Sequence, residues 1–315
     1  MAESLTAPAA AAAAAIHNRR RVDGVLLVDK PAGPSSNAVL GHVKRLFGAS
    51  KAGHTGTLDP LASGLLPICF GEATKFARFL LEGDKRYTAT VRFGIATATS
   101  DAEGEVTAVH EVEFDEARLR AALAAAVGPQ LQVPPKHSAL KHAGRPHYAW
   151  ARAGIDVPRT PRDITIHALR LVEWSSPDAI IEIGCSKGTY VRAVATSLGD
   201  TLGCGAHLAA LRRTGSGGFD VRDAVTVETL EALDEAGRGR LLRPVSALVS
   251  HLPRAELDGP AARSFRHGQP VALAYDGSGF AAVYAVGGPL IGVADHRQAM
   301  LVPVRLIVGE DCATS

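Results

Sequence analysis

The sequence is poor in cysteine, and its cysteines are widely separated. They occur at four positions in 315 residues, and no two of them form a C-x-x-C pair: Cys69, Cys185, Cys204 and Cys312. A disulfide framework or a structural zinc site needs cysteines at close or repeated spacings. The pattern therefore excludes both, and it indicates reduced thiols in a cytoplasmic protein.

Long hydrophobic runs are also missing. No stretch approaches the ~20 apolar residues that a helix needs to cross a bilayer, so we expect no membrane association. The alanine-rich residues 7–16 follow Glu3 and precede three arginines, whereas a secretory signal carries its positive charges before the apolar run. We interpret residues 1–21 as a disordered, alanine- and arginine-rich tail outside the fold.

Aromatic residues are scarce as well, and charges of the two signs nearly balance. Phe, Trp and Tyr make up 5% of the chain, and 34 basic residues against 32 acidic ones leave a net charge of +2. This balance neither predicts nor excludes a nucleic-acid partner, because such binding depends on where the charges lie. Hydrophobic residues reach 46%, which provides a packed core and excludes a wholly disordered chain.

Apolar periodicity predicts a mixture of strands and helices. Strands are expected at residues 24–28, 87–95 and 180–185, and helices at residues 36–47, 114–127 and 190–202. From residue 244 the pattern changes to short apolar runs separated by glycine and proline, which predicts a small β-rich domain of about 60 residues. We therefore expect one large domain at residues 22–245 and a second domain at residues 246–315.

One segment of the large domain, residues 130–162, is rich in proline and basic groups, and we interpret it as an insertion. Its basic residues, Lys141 and Arg145 among them, are mixed with Tyr148 and Trp150. This composition is typical of a surface that binds an RNA backbone and stacks on some bases. A solvated loop is the alternative interpretation.

Three histidines of this insertion recur every five residues. They are His137, His142 and His147, and no cysteine lies near them. Zinc sites in proteins are usually completed by cysteine, histidine or carboxylate ligands close at hand. Because Asp156 is the nearest carboxylate, we predict no metal site here.

The most informative stretch is residues 53–64, with the sequence GHTGTLDPLASG. Its glycines allow close approach of a ligand or positive φ angles. Pro60 biases Asp59 away from the helical region, so the carboxylate is expected on an extended or turn backbone. A single aspartate in such a loop is commonly a turn or cap residue, and the loop alone leaves that alternative open.

Five further segments accompany this loop along the chain. They are residues 30–31 (KP), 71–75 (GEATK), 84–87 (DKRY), 186–192 (SKGTYVR) and 211–213 (LRR). In this order, and together with residues 53–64, they resemble the TruB family of bacterial tRNA pseudouridine-55 synthases. The resemblance covers residues 22–245, and residues 247–308 resemble the PUA-like domain of the family.

The resemblance implies an α+β fold, in which a central mixed or antiparallel sheet is flanked by helices and followed by a small β-rich PUA-like domain. It also implies isomerisation of uridine to pseudouridine at position 55 in the T-loop of tRNA. Because nothing is lost in this reaction, no cofactor is expected. The chain is further expected to act on the T-arm of tRNA as a cytoplasmic monomer, without an obligatory protein partner.

Roles for single residues follow from the same resemblance. Asp59 is implied as the catalytic nucleophile, and Arg192 as the ion-pair partner that keeps it ionised. Tyr87 is implied to stack on the flipped uracil and to assist removal of the C5 proton, while Tyr190 and Leu211 are implied in the base pocket. The alternatives are a surface charge for Arg192 and ordinary core packing for the tyrosines.

Three further residues are implied in binding the substrate. His54 resembles the family's histidine that enters the RNA loop in place of the extruded uridine, which offsets part of the few kcal/mol that base extrusion costs. Lys141 and Arg145 are expected to contact the tRNA backbone. A lone histidine is otherwise an ordinary polar loop residue.

Two other functions stay open on the sequence alone. One is a tRNA-binding chaperone whose catalysis is secondary, and the other is a guide-RNA-dependent pseudouridine synthase, which shares the motif around Asp59. The chemical route also stays open. The residues do not decide between attack of Asp59 on C1′, a glycal intermediate and attack on the base.

Overall fold

The computed structural model describes residues 20–273 and 278–308. The predicted N-terminal tail lies outside the described residues, except for Arg20 and Arg21. In the described part of the chain, none of the helices combines the length and the apolar character that a bilayer crossing needs.

Strands and helices are interspersed along the described residues. The strands are β1 (Gly24–Lys30), β2 (Ala52–His54), β3 (Ser63–Phe70), β4 (Lys85–Phe93), β5 (Ile95–Thr97), β6 (Val106–Val109), β7 (Gly128–Gln132), β8 (Lys141–His142), β9 (Arg145–Pro146), β10 (Arg162–Ser175), β11 (Asp178–Cys185), β12 (Ala206–Ser216), β13 (Phe219–Asp220), β14 (Val225–Thr226), β15 (Arg254–Leu257), β16 (Val271–Ala272), β17 (Gly279–Ala285), β18 (Leu290–Arg297) and β19 (Met300–Leu306). The helices are α1 (Ser36–Leu46), α2 (Ala77–Leu81), α3 (Glu116–Ala125), α4 (His147–Ala151), α5 (Val191–Leu202), α6 (Val227–Ala232), α7 (Glu235–Arg240) and α8 (Gly259–Arg266).

Most of the long strands join one ten-stranded sheet, which we call the main sheet. Their order is β14-β1-β3-β12-β4-β11-β10-β7, with β2 beside β3 and β13 beside β12. Neighbouring strands are antiparallel, except that β1 pairs with β14 and β3 with β12 in parallel. A mixed sheet with helices packed against it confirms the predicted α+β fold class.

Helix α5 packs against the main sheet and carries the end of the SKGTYVR segment. Its apolar residues Val194 and Leu198 are buried in one cluster with Val91 of β4. The helix begins after Tyr190 and ends at Gly203, whose φ of 84° is a left-handed conformation that glycine adopts without strain. This helix agrees with the one predicted at residues 190–202.

Other predicted elements differ from the observed ones at their ends. Helix α3 is shorter than the predicted 114–127, because Asp115 caps its first turn by accepting a hydrogen bond from the Arg118 N–H. The strand predicted at 87–95 begins earlier, at Lys85, and ends before Gly94, which has a φ of 81°. Capping and a single left-handed glycine thus set these boundaries.

The predicted insertion, residues 130–162, leaves the main sheet over a shorter range. Residues 130–132 belong to β7 and Arg162 to β10, and these strands pair antiparallel at the edge of the sheet. Between them, residues 133–161 contain the two-stranded hairpin β8–β9 and the short helix α4. We call residues 133–161 the basic insertion.

The C-terminal residues form a second sheet of five strands, in the order β15-β17-β18-β19-β16. Helix α8 packs on it, and Phe265 of this helix is fully buried in one cluster with Val283 and Ile291. This sheet confirms the predicted β-rich C-terminal part of the fold. The boundary at residue 246 stays a prediction.

The two sheets share a hydrophobic core. Phe76 and Phe79, which follow β3, lie in one buried cluster with Leu248, with Val25 of the main sheet and with Val293 of the C-terminal sheet. Phe76, Leu248, Val25 and Val293 are each 0% exposed. The C-terminal sheet is therefore attached to the main sheet by a continuous core.

Replacing Phe76 by alanine should destabilise both sheets at once. Phe76 is fully buried, and loss of such a side chain costs about 3–5 kcal/mol of unfolding free energy. Urea unfolding, followed by circular dichroism and fluorescence, should show this loss in one transition. Val109→Ala, at a position that is 70% exposed, is the control and should change stability by less than about 0.5 kcal/mol. Two separate transitions in the wild type would contradict the shared core.

Candidate active site

The turn that carries Asp59 is held by hydrogen bonds on both sides. Upstream, the buried Ser36 hydroxyl pairs with the N–H and the carbonyl of Leu58, each at 2.8 Å. Downstream, the Ala62 N–H donates to the Asp59 carbonyl at 3.0 Å. Helix α1, which contains Ser36, therefore fixes the backbone next to the carboxylate.

Lys30, at the end of β1, supports the same turn. It is fully buried, and its ammonium donates to the carbonyls of Pro31 at 2.8 Å, Pro34 at 2.7 Å and Pro60 at 3.5 Å. Burial lowers the pKa of Lys30 to about 8, and the negative charge of Asp59 opposes this change. These contacts give Lys30 a structural role, in which it ties the turn around Asp59 to β1.

Arg192 links Asp59 to two other segments of the chain. Its guanidinium lies 2.9 Å from the Asp59 carboxylate and 3.4 Å from the Asp101 carboxylate. It also donates to the carbonyls of Thr99 at 3.2 Å and His137 at 2.8 Å. The side chains of Arg192 and Asp101 are 6% and 4% exposed, whereas that of Asp59 is 42% exposed. The structure thus brings Asp59 and Arg192 together and leaves the carboxylate accessible.

Burial and neighbouring charges act in opposite directions on Asp59. Burial raises the pKa of its carboxyl, Arg192 lowers the pKa through charge and a hydrogen bond, and the charge of Asp101 raises it. Lys30 lowers it further, and the net pKa lies above the ordinary value of an aspartate. The ion pair with Arg192 is therefore the main interaction that keeps this carboxylate charged.

Tyr87, on β4, lies beside a second buried arginine. Arg213 is 1% exposed and donates to the carbonyls of Leu65 at 2.7 Å and Gly56 at 2.9 Å, and it also donates to the Tyr87 hydroxyl. Burial raises the pKa of Tyr87, and Arg213 opposes this rise. Glycine is required at position 64, because its φ is 99° and a Cβ atom there would lie 2.3 Å from the Arg213 carbonyl oxygen.

A cavity of about 280 Å³ opens beside Asp59. The predicted residues Tyr87, Tyr190, Leu211 and Arg192 line it together with Asp59. Other residues complete its wall, among them Leu81, Lys85, Arg213, Ser138 and Ala139. Its volume is near the lower end of the range for ligand pockets, about 300 Å³, which suits a single nucleobase.

The basic insertion and the end of β7, which precedes it, are tied to this pocket. The Gln132 side chain accepts a hydrogen bond from the Tyr190 N–H at 2.8 Å and donates to the Tyr190 carbonyl at 3.1 Å. The His137 carbonyl accepts from Arg192, and Ser138 is buried in the pocket wall. The position of the insertion is thereby coupled to the beginning of α5.

The remaining predicted residues lie outside the pocket. His54, on β2, is half-buried with its Nε2 3.3 Å from the Oδ1 of Asn37, and burial lowers its pKa. Lys141 and Arg145 are exposed on the hairpin β8–β9. The guanidinium of Arg145 lies 4.8 Å from the centre of the Trp150 ring, which is a cation–π contact.

Four further residues complete this site, and none of them was predicted from the sequence: Asp101, Arg213, Lys85 and Gln132. Asp101 lies in a polar turn that predicts only a loop, and its pairing with Arg192 connects distant segments that share no local pattern. Arg213 and Lys85 stood within the LRR and DKRY segments. Their place in these two segments was the one available signal for a role in the site, because strand periodicity alone does not predict a buried cation.

Asp59 should titrate at a higher pH than an ordinary aspartate. Because burial disfavours the charged form, its pKa lies above the usual value of about 3.9, and loss of the Arg192 charge should raise it further. Carbon-13 NMR of the labelled carboxyl would measure the pKa in the wild type and in Arg192→Gln. Arg212→Gln, which removes an arginine bound to Asp29, is the control. An unchanged or lower pKa in Arg192→Gln would contradict this account.

Comparison with known families gives matches along most of the described chain. Residues 44–191 match the N-terminal domain of the TruB family of pseudouridylate synthases. Residues 192–250 match the tRNA pseudouridylate synthase B C-terminal domain, and residues 253–307 match the C-terminal domain of pseudouridine synthase II TruB.

Similar proteins and structures agree with these matches. The tRNA pseudouridine synthase B of Thiobacillus denitrificans is 53% identical over 289 residues, which cover 92% of this chain and 97% of that protein. The protein of the same name from Dechloromonas aromatica is 50% identical, covering 91% and 96%. A chain in the crystal structure of a Cbf5-Nop10-Gar1 complex is 25% identical, with a TM-score of 0.69 and coverage of 90% of this chain and 84% of that one. The chain belongs to the TruB family of pseudouridine synthases.

Proposed function

We propose that this protein isomerises a uridine of tRNA to pseudouridine, at position 55 of the T-loop. The observation that carries the proposal is the accessible carboxylate of Asp59, paired with the buried Arg192 at the edge of a pocket of nucleobase size. Relatives named tRNA pseudouridine synthase B, about half identical over nine-tenths of the chain, support tRNA as the substrate.

Asp59 is the proposed nucleophile. A carboxylate can attack C1′ or stabilise the positive charge that develops there when the glycosidic bond breaks. Each role requires the ionised form, which the Arg192 guanidinium at 2.9 Å favours. Because the freed base must be kept and rejoined, a pocket of the size of one nucleobase suits an isomerase better than a glycosidase.

Tyr87, Tyr190 and Leu211 are proposed to hold the flipped uracil. All three line the cavity next to Asp59, and aromatic rings offer the faces on which a base stacks. The Tyr87 hydroxyl accepts a hydrogen bond from Arg213, whose charge would stabilise a negative charge on that oxygen. This arrangement supports assistance by Tyr87 in removing the C5 proton.

His54 is proposed to occupy the space that the extruded uridine leaves in the RNA loop. Burial and the charge of Arg213 lower the pKa of His54, so the imidazole is neutral at neutral pH. A neutral ring stacks between bases without carrying a charge into the RNA loop. Stacking of this kind offsets part of the cost of base extrusion, a few kcal/mol.

The basic insertion is proposed to bind the RNA backbone. Lys141, Arg145 and Arg152 are exposed along it, and two of them lie over aromatic rings: Arg145 over Trp150 and Arg152 over Tyr148. Exposed cations interleaved with aromatic rings suit phosphate contacts combined with base stacking.

A guide-dependent synthase is the second candidate, because the chain in the Cbf5-Nop10-Gar1 complex shares the fold at 25% identity. The identity of 53% to a tRNA pseudouridine synthase B favours the tRNA enzyme. A chaperone without catalysis is favoured by no observation, since the Asp59–Arg192 pair and the pocket are both complete.

The first experiment incubates the purified chain with an unmodified tRNA transcript in EDTA, and it maps pseudouridine by carbodiimide primer extension. The wild type should give one stop at the T-loop uridine. Asp59→Ala should reduce the rate by at least about 10³-fold, because it removes the group that reacts with the sugar. Asp59→Asn should keep the tRNA affinity while losing the product.

Each of the other outcomes would indicate a different function. Tight tRNA binding without product in the wild type would favour a chaperone. Product only after addition of a guide RNA and partner proteins would favour the guide-dependent enzyme. Release of free uracil would indicate a glycosidase. Full activity of Asp59→Ala would contradict the assignment of the nucleophile.

Removing charge from the basic insertion should weaken tRNA binding and flatten its salt dependence. In a variant with Lys141, Arg145 and Arg152 changed to glutamine, the slope of log K against log salt should fall by about 2–3, because each phosphate contact contributes about 0.7–0.9. Filter binding across a series of salt concentrations measures the slope.

The matched control removes three exposed arginines elsewhere, Arg118, Arg120 and Arg170, which changes the net charge by the same amount. This control should keep the slope of the wild type. Equal slopes in all three proteins would show that the insertion makes no phosphate contacts.

A further inference from the structure

Two buried cations lie side by side in the wall of the active-site pocket. Lys85, on β4, is 7% exposed, and Arg213, on β12, is 1% exposed. Both line the cavity next to Tyr87, two residues along β4 from Lys85. The charge of Arg213 lowers the pKa of Lys85, as expected for two close like charges.

Neither cation has a carboxylate partner in residues 20–273 and 278–308. The Lys85 ammonium donates to the carbonyl of Leu81 at 2.6 Å and to that of Gly83. Arg213 donates to two carbonyls and to the Tyr87 hydroxyl. By contrast, the buried Arg192 faces two carboxylates.

A buried charge without a counter-ion is costly, and where it lines a pocket it can meet an opposite charge that a ligand or a reaction supplies. Lys85 and Arg213 line the cavity, whereas the buried Lys30, which also donates only to carbonyls, does not. An ammonium has three N–H donors, and within the described residues protein carbonyls use two of those of Lys85. No protein acceptor within those residues takes the third donor, and Lys85 lines the cavity. The wall that these cations form is therefore suited to an anion.

The groups around Lys85 keep it charged at neutral pH. Burial and the charge of Arg213 lower its pKa to about 8, and Cys185 on β11 and the acidic groups of Asp84 and Glu82 on the preceding turn oppose this change. Below about pH 8 the ammonium form is therefore the major one.

We infer that Lys85, assisted by Arg213, stabilises the negative charge that uracil carries between its release from C1′ and its reattachment. This inference rests on the proposed function. When the N1–C1′ bond breaks, both electrons stay on the base, whose charge spreads over N1 and the two carbonyl oxygens. An electron pair at C5 then forms the C5–C1′ bond, and any bond between C1′ and the Asp59 carboxylate breaks, which frees the carboxylate. Loss of the C5 proton and gain of one proton at N1 restore a neutral base.

Preorganised cations in a partly dry pocket are effective where charge develops during a reaction. Lys85 would then be a catalytic residue of this step. Its alternative role is structural, in which the ammonium merely holds the turn of Leu81 and Gly83 in place. The two roles predict different results. If Lys85 stabilises the charge, the loss of rate on its removal depends on how basic the departing uracil is. If its role is structural, the loss of rate is the same for every base.

The test compares two transcripts, with uridine or 5-fluorouridine at the target position, in the wild type and in Lys85→Met. Single-turnover loss of the target nucleoside is measured near neutral pH, together with tRNA affinity and thermal stability. Fluorine withdraws electrons and makes the base anion more stable, so this anion depends less on stabilisation by Lys85. With uridine, Lys85→Met should lower the rate by about 10²-fold. With 5-fluorouridine the loss should be at least about tenfold smaller, and tRNA affinity should stay unchanged.

Lys51→Met makes the same change at an exposed lysine and should keep the wild-type ratio of the two rates. In the wild type, the rate with uridine should fall as pH rises through about 8, because Lys85 loses its proton there, and this fall should be absent from Lys85→Met. Equal losses with both bases would overturn the inference and assign Lys85 a structural role. Failure of the wild type to make pseudouridine would instead refute the proposed function, so the two failures are distinct.

Discussion

The site depends on one guanidinium. Arg192 contacts oxygen atoms from three separate segments, namely Asp59 in the turn after β2, Thr99 and Asp101 between β5 and β6, and His137 in the basic insertion. Since a buried charge is tolerated only while its partners stay in place, these segments are mutually constrained. The carboxylate of Asp59 is aimed and kept ionised by the same interaction that holds the insertion against the pocket.

The buried cations of this site divide into two kinds. Lys30, Lys85 and Arg213 donate to backbone carbonyls, whereas Arg192 neutralises carboxylates. The net charge of +2 does not reveal this arrangement, because composition does not tell which charges are buried. Lys85 and Arg213 thus place positive charge without a carboxylate partner, among residues 20–273 and 278–308, in the wall of the pocket beside Asp59.

Local patterns predicted much of this molecule, and they failed where pairing is long-range. The helices at α1 and α5 and the turn around Asp59 follow from caps, glycine and proline, which act within a few residues. Strand β3 was not predicted, because seven of its eight residues are buried and show no alternation. Asp101 and Gln132 were missed because a loop aspartate and an edge-strand glutamine acquire their partners only when distant segments meet.

The core shared by the two sheets has a consequence for substrate choice. Phe76 and Leu248 are fully buried between the main sheet and the C-terminal sheet, so the second sheet cannot turn relative to Asp59 without exposing them. An RNA that touched both would have to match one fixed separation. Selection of such an RNA would depend on its folded dimensions.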